Sequence, residues 1–200
     1  MRYAFCIVDP CRWYWREWQQ SHDPVRMQKY GDISFEGQVG LVTGAASGLG
    51  LAYSRLLARR GALVVMHDVG AGLDGNGQDP RRIDATVALL RGTGLDVHAA
   101  HAAIDQRDGC RALIADMVAR HGRIDFIIHN AGWVEYQQID ALEEDRFDHM
   151  MTIAAKAPLW LAEAAWSSMQ ANHHGRIVLT TSDRALYPQY VQKGLAAYAA

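Results

Sequence analysis

The feature that most constrains the fold is an alternation of short apolar runs with longer amphipathic segments, which begins near Gln38. The runs are predicted as strands: VGLVT (39–43), ALVVMH (62–67), LDVHAAHAAI (95–104), RIDFIIHN (123–130) and RIVLTT (176–181). Helical segments separate them, the longest at about 143–172. Strands joined by helical crossovers pair in parallel, and strands this apolar are buried on both faces. The sequence therefore predicts an α/β fold with a doubly wound parallel sheet.

The first part of the chain lacks this regular pattern. Residues 1–36 are predicted to be an N-terminal extension of uncertain order, and residues 37–200 a single domain. The extension holds three of the six tryptophans between Trp13 and Trp18, without a helical or strand period. Two interpretations stay open: these aromatic residues anchor a partner, or the stretch lies upstream of a natural start at Met27.

Composition and charge exclude several classes of partner. With 20 basic and 22 acidic residues, no charge excess attracts nucleic acid or an anionic membrane surface. The three cysteines form no CxxC pair, and His98 and His101 lie at an odd separation on a strand, so no metal site is predicted. The apolar start, Tyr3–Val8, is too short to span a bilayer. We therefore expect a cytoplasmic protein that binds small molecules.

The segment TGAASGLG (43–50) joins the first predicted strand to the first helix. Gly44 allows a sharp turn, Gly48 leaves room for a pyrophosphate, and Gly50 lets the helix pack closely on the sheet. The free N–H groups at the start of the helix would then face the anion. Its glycine spacing differs from GxGxxG, so the interpretation rests on the strand before the loop and the helix after it. The predicted cofactor-binding residues of the loop are Thr43, Gly44, Ser47, Gly48, Leu49 and Gly50.

Asp68 ends the second predicted strand, 18 residues after Gly50. A carboxylate at this position accepts hydrogen bonds from both ribose hydroxyls and repels a 2′-phosphate, which favours NAD over NADP. The alternative is a solvated turn residue. No arginine follows directly to bind a phosphate. Arg81 and Arg82 are distant in sequence, unless a folded loop brings one of them back.

Several motifs in order resemble those of the short-chain dehydrogenases/reductases. They are TGAASGLG (43–50), Asp68, ID (104–105), NAG (130–132), GRIVLTTS (175–182) and Tyr198. The stretch GALVVMHDVGAG and the glycine-rich loop after it are most similar to the dehydrogenase unit of peroxisomal multifunctional enzymes. The resemblance implies a Rossmann-like dinucleotide-binding domain over residues 37–200.

The same resemblance assigns further residues to the cofactor. It implies that Asp105 binds the adenine and that Asn130, Ala131 and Gly132 lie beside the cofactor ribose. The family usually has a second asparagine where this chain has His129, and we expect that departure to weaken the local network.

The resemblance also implies the catalytic pair. Tyr198 would be the acid/base, and Ser182 would hold the substrate oxygen. Tyrosine is a poor base at its free pKa of about 10, so the family uses a lysine four residues later. Here that position is 202, and the sequence ends at Ala200. We therefore expect an inactive C-terminally truncated fragment whose sheet is incomplete at its C-terminal edge.

Two further departures concern the catalytic region. Ser182 and Tyr198 are 16 residues apart, a longer separation than is usual in the family, which indicates a longer loop between them. The family asparagine that supports proton relay falls near Ala154, and alanine cannot fill that role. Ser182 also fits a plain strand-end residue.

Two functional hypotheses follow. The first is an NAD-dependent oxidoreductase that interconverts a secondary alcohol and a ketone. Its substrate would be a hydrophobic alcohol or ketone, with 3-hydroxyacyl thioesters and steroids included, and the complete protein would be a homo-oligomer. The second is a non-catalytic nucleotide-binding relic, or a truncated product, that acts through protein contacts.

Overall fold

The computed structural model describes residues 33–72, 75–185 and 193–199, together with the backbone of residues 5–8. The strands are β1 (Phe5–Val8), β2 (Val39–Thr43), β3 (Leu63–His67), β4 (Val97–Ala100), β5 (Phe126–His129) and β6 (Arg176–Thr180). They form one sheet in the order β1-β6-β5-β2-β3-β4, and all neighbouring pairs are parallel. The predicted doubly wound parallel sheet is confirmed. Its switch point lies between β2 and β5, where ligands bind in such sheets.

Helices connect the strands. They are α1 (Gly48–Arg59), α2 (Arg81–Arg91), α3 (Arg107–His121), α4 (Glu144–Met151), α5 (Ala157–Ala171) and α6 (Ala196–Ala199). The sequence predicts one continuous helix over 143–172, but a π-helical turn, Thr152–Lys156, separates α4 from α5. Short 3₁₀ turns lie at Ile139–Ala141 and Asp183–Ala185.

The hydrophobic core lies on both faces of the sheet. Neighbouring residues of a strand point to opposite faces, so Leu41 packs with α3 and α5 while Val42 packs with α1 and α2. Both side chains are fully buried. Burial on both faces explains why the strands are uniformly apolar.

Strand β1 lies in residues 1–36, where the sequence pattern indicated no regular structure. It pairs with β6, with Phe5 opposite Ile177 and Val8 opposite Thr180. The outer edge of β6, which we expected to have no partner strand, is thus covered. The tryptophans at 13, 15 and 18 lie outside the described residues, and the domain boundary near residue 36 stays a prediction.

Candidate cofactor and catalytic site

The candidate site lies where β2 and β5 end side by side. Thr43 is the last residue of β2 and His129 the last of β5, and both are buried. The glycine loop follows β2, and Asn130 and Ala131 follow β5. Parallel pairing of the two strands therefore brings two predicted motifs to one edge of the sheet.

The Thr43 hydroxyl connects these two motifs. Its Oγ1 accepts hydrogen bonds from the amides of Asn130 and Ala131, each at 3.0 Å. It also lies 3.0 Å from Nδ1 of His129. Because the two amides occupy its acceptor positions, the hydroxyl donates its proton to Nδ1.

This arrangement fixes the tautomer of His129. Nδ1 accepts from Thr43, so Nε2 carries the proton and donates to the carbonyl of Ile153 at 2.9 Å. Burial lowers the pKa of His129 to about 4, so the imidazole is neutral at pH 7. We expected His129 to weaken the hydrogen-bond network after β5. Instead its imidazole makes two hydrogen bonds of that network, one to Thr43 and one to Ile153.

The glycine loop packs closely against the turn after β5. A Cβ on Gly44 would lie 2.9 Å from Cα of Ala131, and Gly44 has a positive φ of 65°. A Cβ on Gly50 would lie only 2.1 Å from the carbonyl oxygen of Gly44. Asn130 also donates from Nδ2 to that carbonyl, at 3.3 Å. Side chains are thus excluded at both glycines by neighbouring backbone.

The outer part of the loop is open. Ser47 and Gly48 are exposed. A Cβ placed on Gly48 would have no atom within 4 Å from the other described residues, apart from its chain neighbours and the backbone of its own helix. Leu49 is half-buried beside them. Helix α1 begins at Gly48, and the first N–H groups of a helix have no helical partner. An open surface with free amides fits a bound diphosphate.

The Asp68 carboxylate is held at the rim of this loop. Its Oδ2 accepts from the amide of Ala46 at 2.9 Å, and its Oδ1 accepts from the amide of Gly70 at 2.7 Å. It is half-buried and tied to the glycine loop, which a solvated turn residue would not be. Each carboxylate oxygen keeps a second acceptor position for a ribose hydroxyl.

The loop after β3 brings one arginine back toward Asp68. Arg82 donates from Nη1 to the carbonyls of Ala71, at 2.9 Å, and of Gly70, at 3.4 Å. Arg81 turns to Asp79 instead, with Nε 2.8 Å from its Oδ1. The folded loop thus brings Arg82, and not Arg81, back toward the turn that follows Asp68.

Asp105 lies after β4 and is half-buried. Its Oδ1 is a buried atom without a hydrogen-bond partner in the described part of the chain. Buried acceptors are rarely left unpaired. An orphan acceptor here fits the amino group of an adenine, which the resemblance implies.

The catalytic candidates lie on adjoining segments. Ser182 follows β6, and its Oγ accepts from the amide of Arg184 at 3.3 Å. The helix α6, which carries Tyr198, packs against the 3₁₀ turn Asp183–Ala185 just after Ser182. The carbonyl of Gly194 accepts from the amide of Gln137 at 2.7 Å, which ties the start of this helix to the segment after β5. The structure thus brings Ser182 and the helix of Tyr198 to one region, although residues 186–192 between them lie outside the described part.

Ala154 lies in the π-helical turn and is exposed. Single π turns are frequent at functional sites. The alanine-rich segment carries no sequence signal for this turn. Its neighbour Ile153 is the residue whose carbonyl accepts from His129.

Two histidines away from this site lie beside carboxylates. Nε2 of His98 lies 3.0 Å from Oδ1 of Asp96, and Nε2 of His101 lies 3.0 Å from Oδ1 of Asp84. Within residues 33–72, 75–185 and 193–199, no group of three His, Cys, Asp or Glu side chains is placed to hold a metal ion. No helix among the described residues is long and apolar enough to cross a membrane.

A doubly wound parallel sheet with a glycine loop, and with a carboxylate at the end of the next strand, defines a dinucleotide-binding domain. The chain belongs to the short-chain dehydrogenase family, whose family model, described as short chain dehydrogenase, matches residues 38–200. Membership of this family makes the chain an oxidoreductase. It also confirms the predicted type of cofactor, a nicotinamide dinucleotide.

Several known proteins are similar to this chain. Peroxisomal multifunctional enzyme type 2 of Mus musculus is 32% identical over 165 residues, which cover 82% of this chain and 22% of that protein. Peroxisomal hydratase-dehydrogenase-epimerase of Neurospora crassa is 30% identical over 165 residues, which cover 82% of this chain and 18% of that protein. A solved structure of a metagenomic short-chain oxidoreductase in complex with NADP matches with a TM-score of 0.72 and 26% identity, covering 84% of this chain and 71% of that one.

Three points follow from these comparisons. The chain spans about a fifth of the length of these two curated relatives. The predicted resemblance to the dehydrogenase unit of peroxisomal multifunctional enzymes is confirmed. The prediction of a cytoplasmic protein is wrong, because both relatives are named as peroxisomal enzymes.

Proposed function

We propose that this chain is part of an NAD-dependent oxidoreductase that interconverts a secondary alcohol and a ketone by hydride transfer. The observation that carries the proposal is the Asp68 carboxylate, which the Ala46 amide ties to the glycine loop. A carboxylate held there binds ribose hydroxyls and disfavours a 2′-phosphate.

The described residues fit such a cofactor along its length. Asp105 offers an unpaired acceptor for the adenine, and Ser47 and Gly48 leave an open surface for the diphosphate. Asn130 and Ala131 are fixed by Thr43 beside the position that we assign to the second ribose. When bound, the nicotinamide ring accepts or supplies the hydride.

The remaining chemistry falls to Ser182 and Tyr198. Ser182 would hold the substrate oxygen by donating its hydroxyl proton to it. Tyr198 would take the proton of the alcohol in oxidation and return it in reduction. The packing of α6 against the turn after Ser182 supports this division of roles.

The substrate that we propose is a hydrophobic alcohol or ketone. Apolar side chains are exposed on the segment after the NAG turn, with Val134 41% and Ile139 77% exposed. This segment also bonds to the start of α6 through Gln137. The name of the hydratase-dehydrogenase-epimerase relative favours an acyl thioester within this class and a peroxisomal location. For a secondary alcohol this substrate would be a 3-hydroxyacyl thioester, and assembly of the complete protein into a homo-oligomer stays a prediction.

The family lysine would fall at position 202, past Ala200 of this sequence. We therefore expect the 200-residue polypeptide to bind NADH while it oxidises alcohols far more slowly than a polypeptide with lysine at 202. The exposed Ala154, which offers no side chain for proton relay, favours the alternative of a non-catalytic nucleotide-binding protein.

Two measurements test the proposal. Isothermal titration of the 200-residue polypeptide should give a tighter dissociation constant for NADH than for NADPH, and absence of NADH binding would refute the proposal. A polypeptide that continues through a lysine at position 202 should gain NAD-dependent oxidation of a 3-hydroxyacyl thioester. NADH binding without any such gain would support the non-catalytic alternative.

A further inference from the structure

We propose that Arg82 is a specificity residue of the cofactor site, a latent ligand for a 2′-phosphate that the Asp68 carboxylate masks. The inference rests on the proposed function, because it concerns the adenosine end of the same site. Arg82 is 14 residues after Asp68 and lies on another element, so sequence position alone does not indicate this role.

Asp68 and Arg82 hold the same residue from opposite sides. The amide of Gly70 donates to Oδ1 of Asp68 at 2.7 Å. The carbonyl of Gly70 accepts from Nη1 of Arg82 at 3.4 Å, and the carbonyl of Ala71 accepts from the same nitrogen at 2.9 Å. A guanidinium and a carboxylate therefore flank one short turn at the end of β3.

In the glycine loop, Ala46 is likewise bound by Asp68 through its amide and by a residue of α2 through its carbonyl. The amide of Ala46 donates to Oδ2 of Asp68 at 2.9 Å, and the carbonyl of Ala46 accepts from Oγ1 of Thr86 at 3.2 Å. Thr86 is one helical turn after Arg82, so the two side chains share a face of α2. The face of α2 that carries Arg82 thus packs along the rim where Asp68 stands.

The charge of Arg82 is available for an anion. Nη1 is bound to carbonyls, whereas Nε and Nη2 have no hydrogen-bond partner within the described residues. The nearby carboxylate of Asp79 is engaged by Arg81, with Nε and Nη2 bonds of 2.8 and 3.2 Å. A guanidinium stays charged and offers parallel N–H groups that match phosphate oxygens.

Asp68 explains why this cation does not by itself make a site for NADP. Its negative charge would lie beside a 2′-phosphate and repel it. Replacing the carboxylate with a hydroxyl removes the repulsion and leaves Arg82 in place. We therefore expect that replacing Asp68 shifts the cofactor preference from NADH toward NADPH, and that this shift depends on Arg82.

The test measures binding and requires no turnover. Dissociation constants for NADH, NADPH and adenosine 2′,5′-bisphosphate are determined by titration calorimetry for wild type, Asp68→Ser, Asp68→Ser/Arg82→Met and Asp68→Ser/Arg81→Met. Asp68→Ser should bind NADPH and the bisphosphate about tenfold more tightly than wild type, the effect of a charged hydrogen bond. Adding Arg82→Met should remove the part of this gain that the guanidinium supplies and leave only the part that comes from the lost repulsion, whereas adding Arg81→Met should leave the whole gain.

Two results would overturn the inference. In the first, the double variant Asp68→Ser/Arg82→Met binds NADPH as tightly as Asp68→Ser. In the second, Arg81→Met lowers the NADPH affinity of Asp68→Ser as much as Arg82→Met does. Asp68→Ser/Arg82→Lys, which keeps the charge without the planar fork, should retain part of the gain, so a folding defect of the methionine variant does not decide the matter. If wild type fails to bind NADH, the proposed function fails. If wild type binds NADH but no variant gains NADPH affinity, only this inference fails.

Discussion

The buried His129 makes the stability of this fold depend on pH. Burial lowers the pKa of the folded-state imidazole from 6.5 to about 4. Both ring nitrogens are committed in the neutral form, with Nδ1 accepting from Thr43. In the unfolded chain the imidazole takes up a proton at its ordinary pKa, so the unfolded state binds more protons between these values. Stability contributed by the neutral His129 is therefore present at pH 7 and is lost as the pH falls from 6.5 toward 4.

The size of this effect follows from the two pKa values. One pKa unit corresponds to about 1.4 kcal/mol, so the whole shift corresponds to about 3 kcal/mol. Between about pH 7 and about pH 5 the unfolded imidazole becomes protonated while the folded one stays mostly neutral. We expect His129 to account for a loss of about 2 kcal/mol in the free energy of unfolding over this interval.

The assay is urea unfolding, followed by circular dichroism, of wild type and His129→Asn at several pH values between about 7 and 5. Asparagine does not titrate, so the variant should lose about 2 kcal/mol less than wild type over this interval, whatever its stability at pH 7. The exposed His173 offers a control, because His173→Asn should keep the wild-type pH dependence. Parallel curves for wild type and His129→Asn would show that the buried imidazole does not carry the pH dependence.

Three further predictions concern other parts of the domain. Gly50→Ala places a Cβ 2.1 Å from the Gly44 carbonyl oxygen, so it should lower both the urea midpoint and the affinity for NADH in titration. Burial raises the pKa of the Cys110 thiol to about 11, so mass spectrometry should show no alkylation of this residue by iodoacetamide at neutral pH until urea unfolds the protein. Arg123→Met removes bonds of 2.8 and 2.7 Å from the buried carboxylate of Asp125, and unfolding measurements should show a loss of about 2–3 kcal/mol, less than for a fully buried pair because Arg123 is partly exposed.

The sheet could be predicted from sequence because its strands are buried on both faces. Val39–Thr43 and Arg176–Thr180 were found within one residue of their ends, since apolar runs next to turn residues mark such strands. The strand near 95–104 is shorter than predicted, Val97–Ala100. Beyond it, the carbonyl of Ala102 accepts from Nε2 of His67 and not from a backbone amide of β3. Strand β1 was missed because its partner, β6, lies far along the chain and its own segment has no period.

The candidate site was predictable where it depends on backbone and unpredictable where it depends on distant side chains. Glycines and a strand-end carboxylate leave a local pattern, so Gly44, Gly50 and Asp68 could be named from sequence. The roles of His129 and Arg82 depend on residues brought together by the fold. His129 meets Thr43 across 86 positions, and Arg82 meets Gly70 across a loop. No spacing rule marks such pairs.

The two sides of the proposed reaction site are joined by this one histidine. Through Thr43 its imidazole connects to the amides of Asn130 and Ala131, which we assign to the cofactor side. Through Ile153 it connects to the π-helical turn that holds Ala154, near which the family resemblance implies a relay residue. An imidazole suits this place because its two nitrogens lie on opposite sides of a rigid ring, and one can accept while the other donates. Asparagine at 129 would have a shorter side chain. The histidine therefore spans the distance between Thr43 and Ile153 with one bond to each, and does not weaken the network as the sequence suggested.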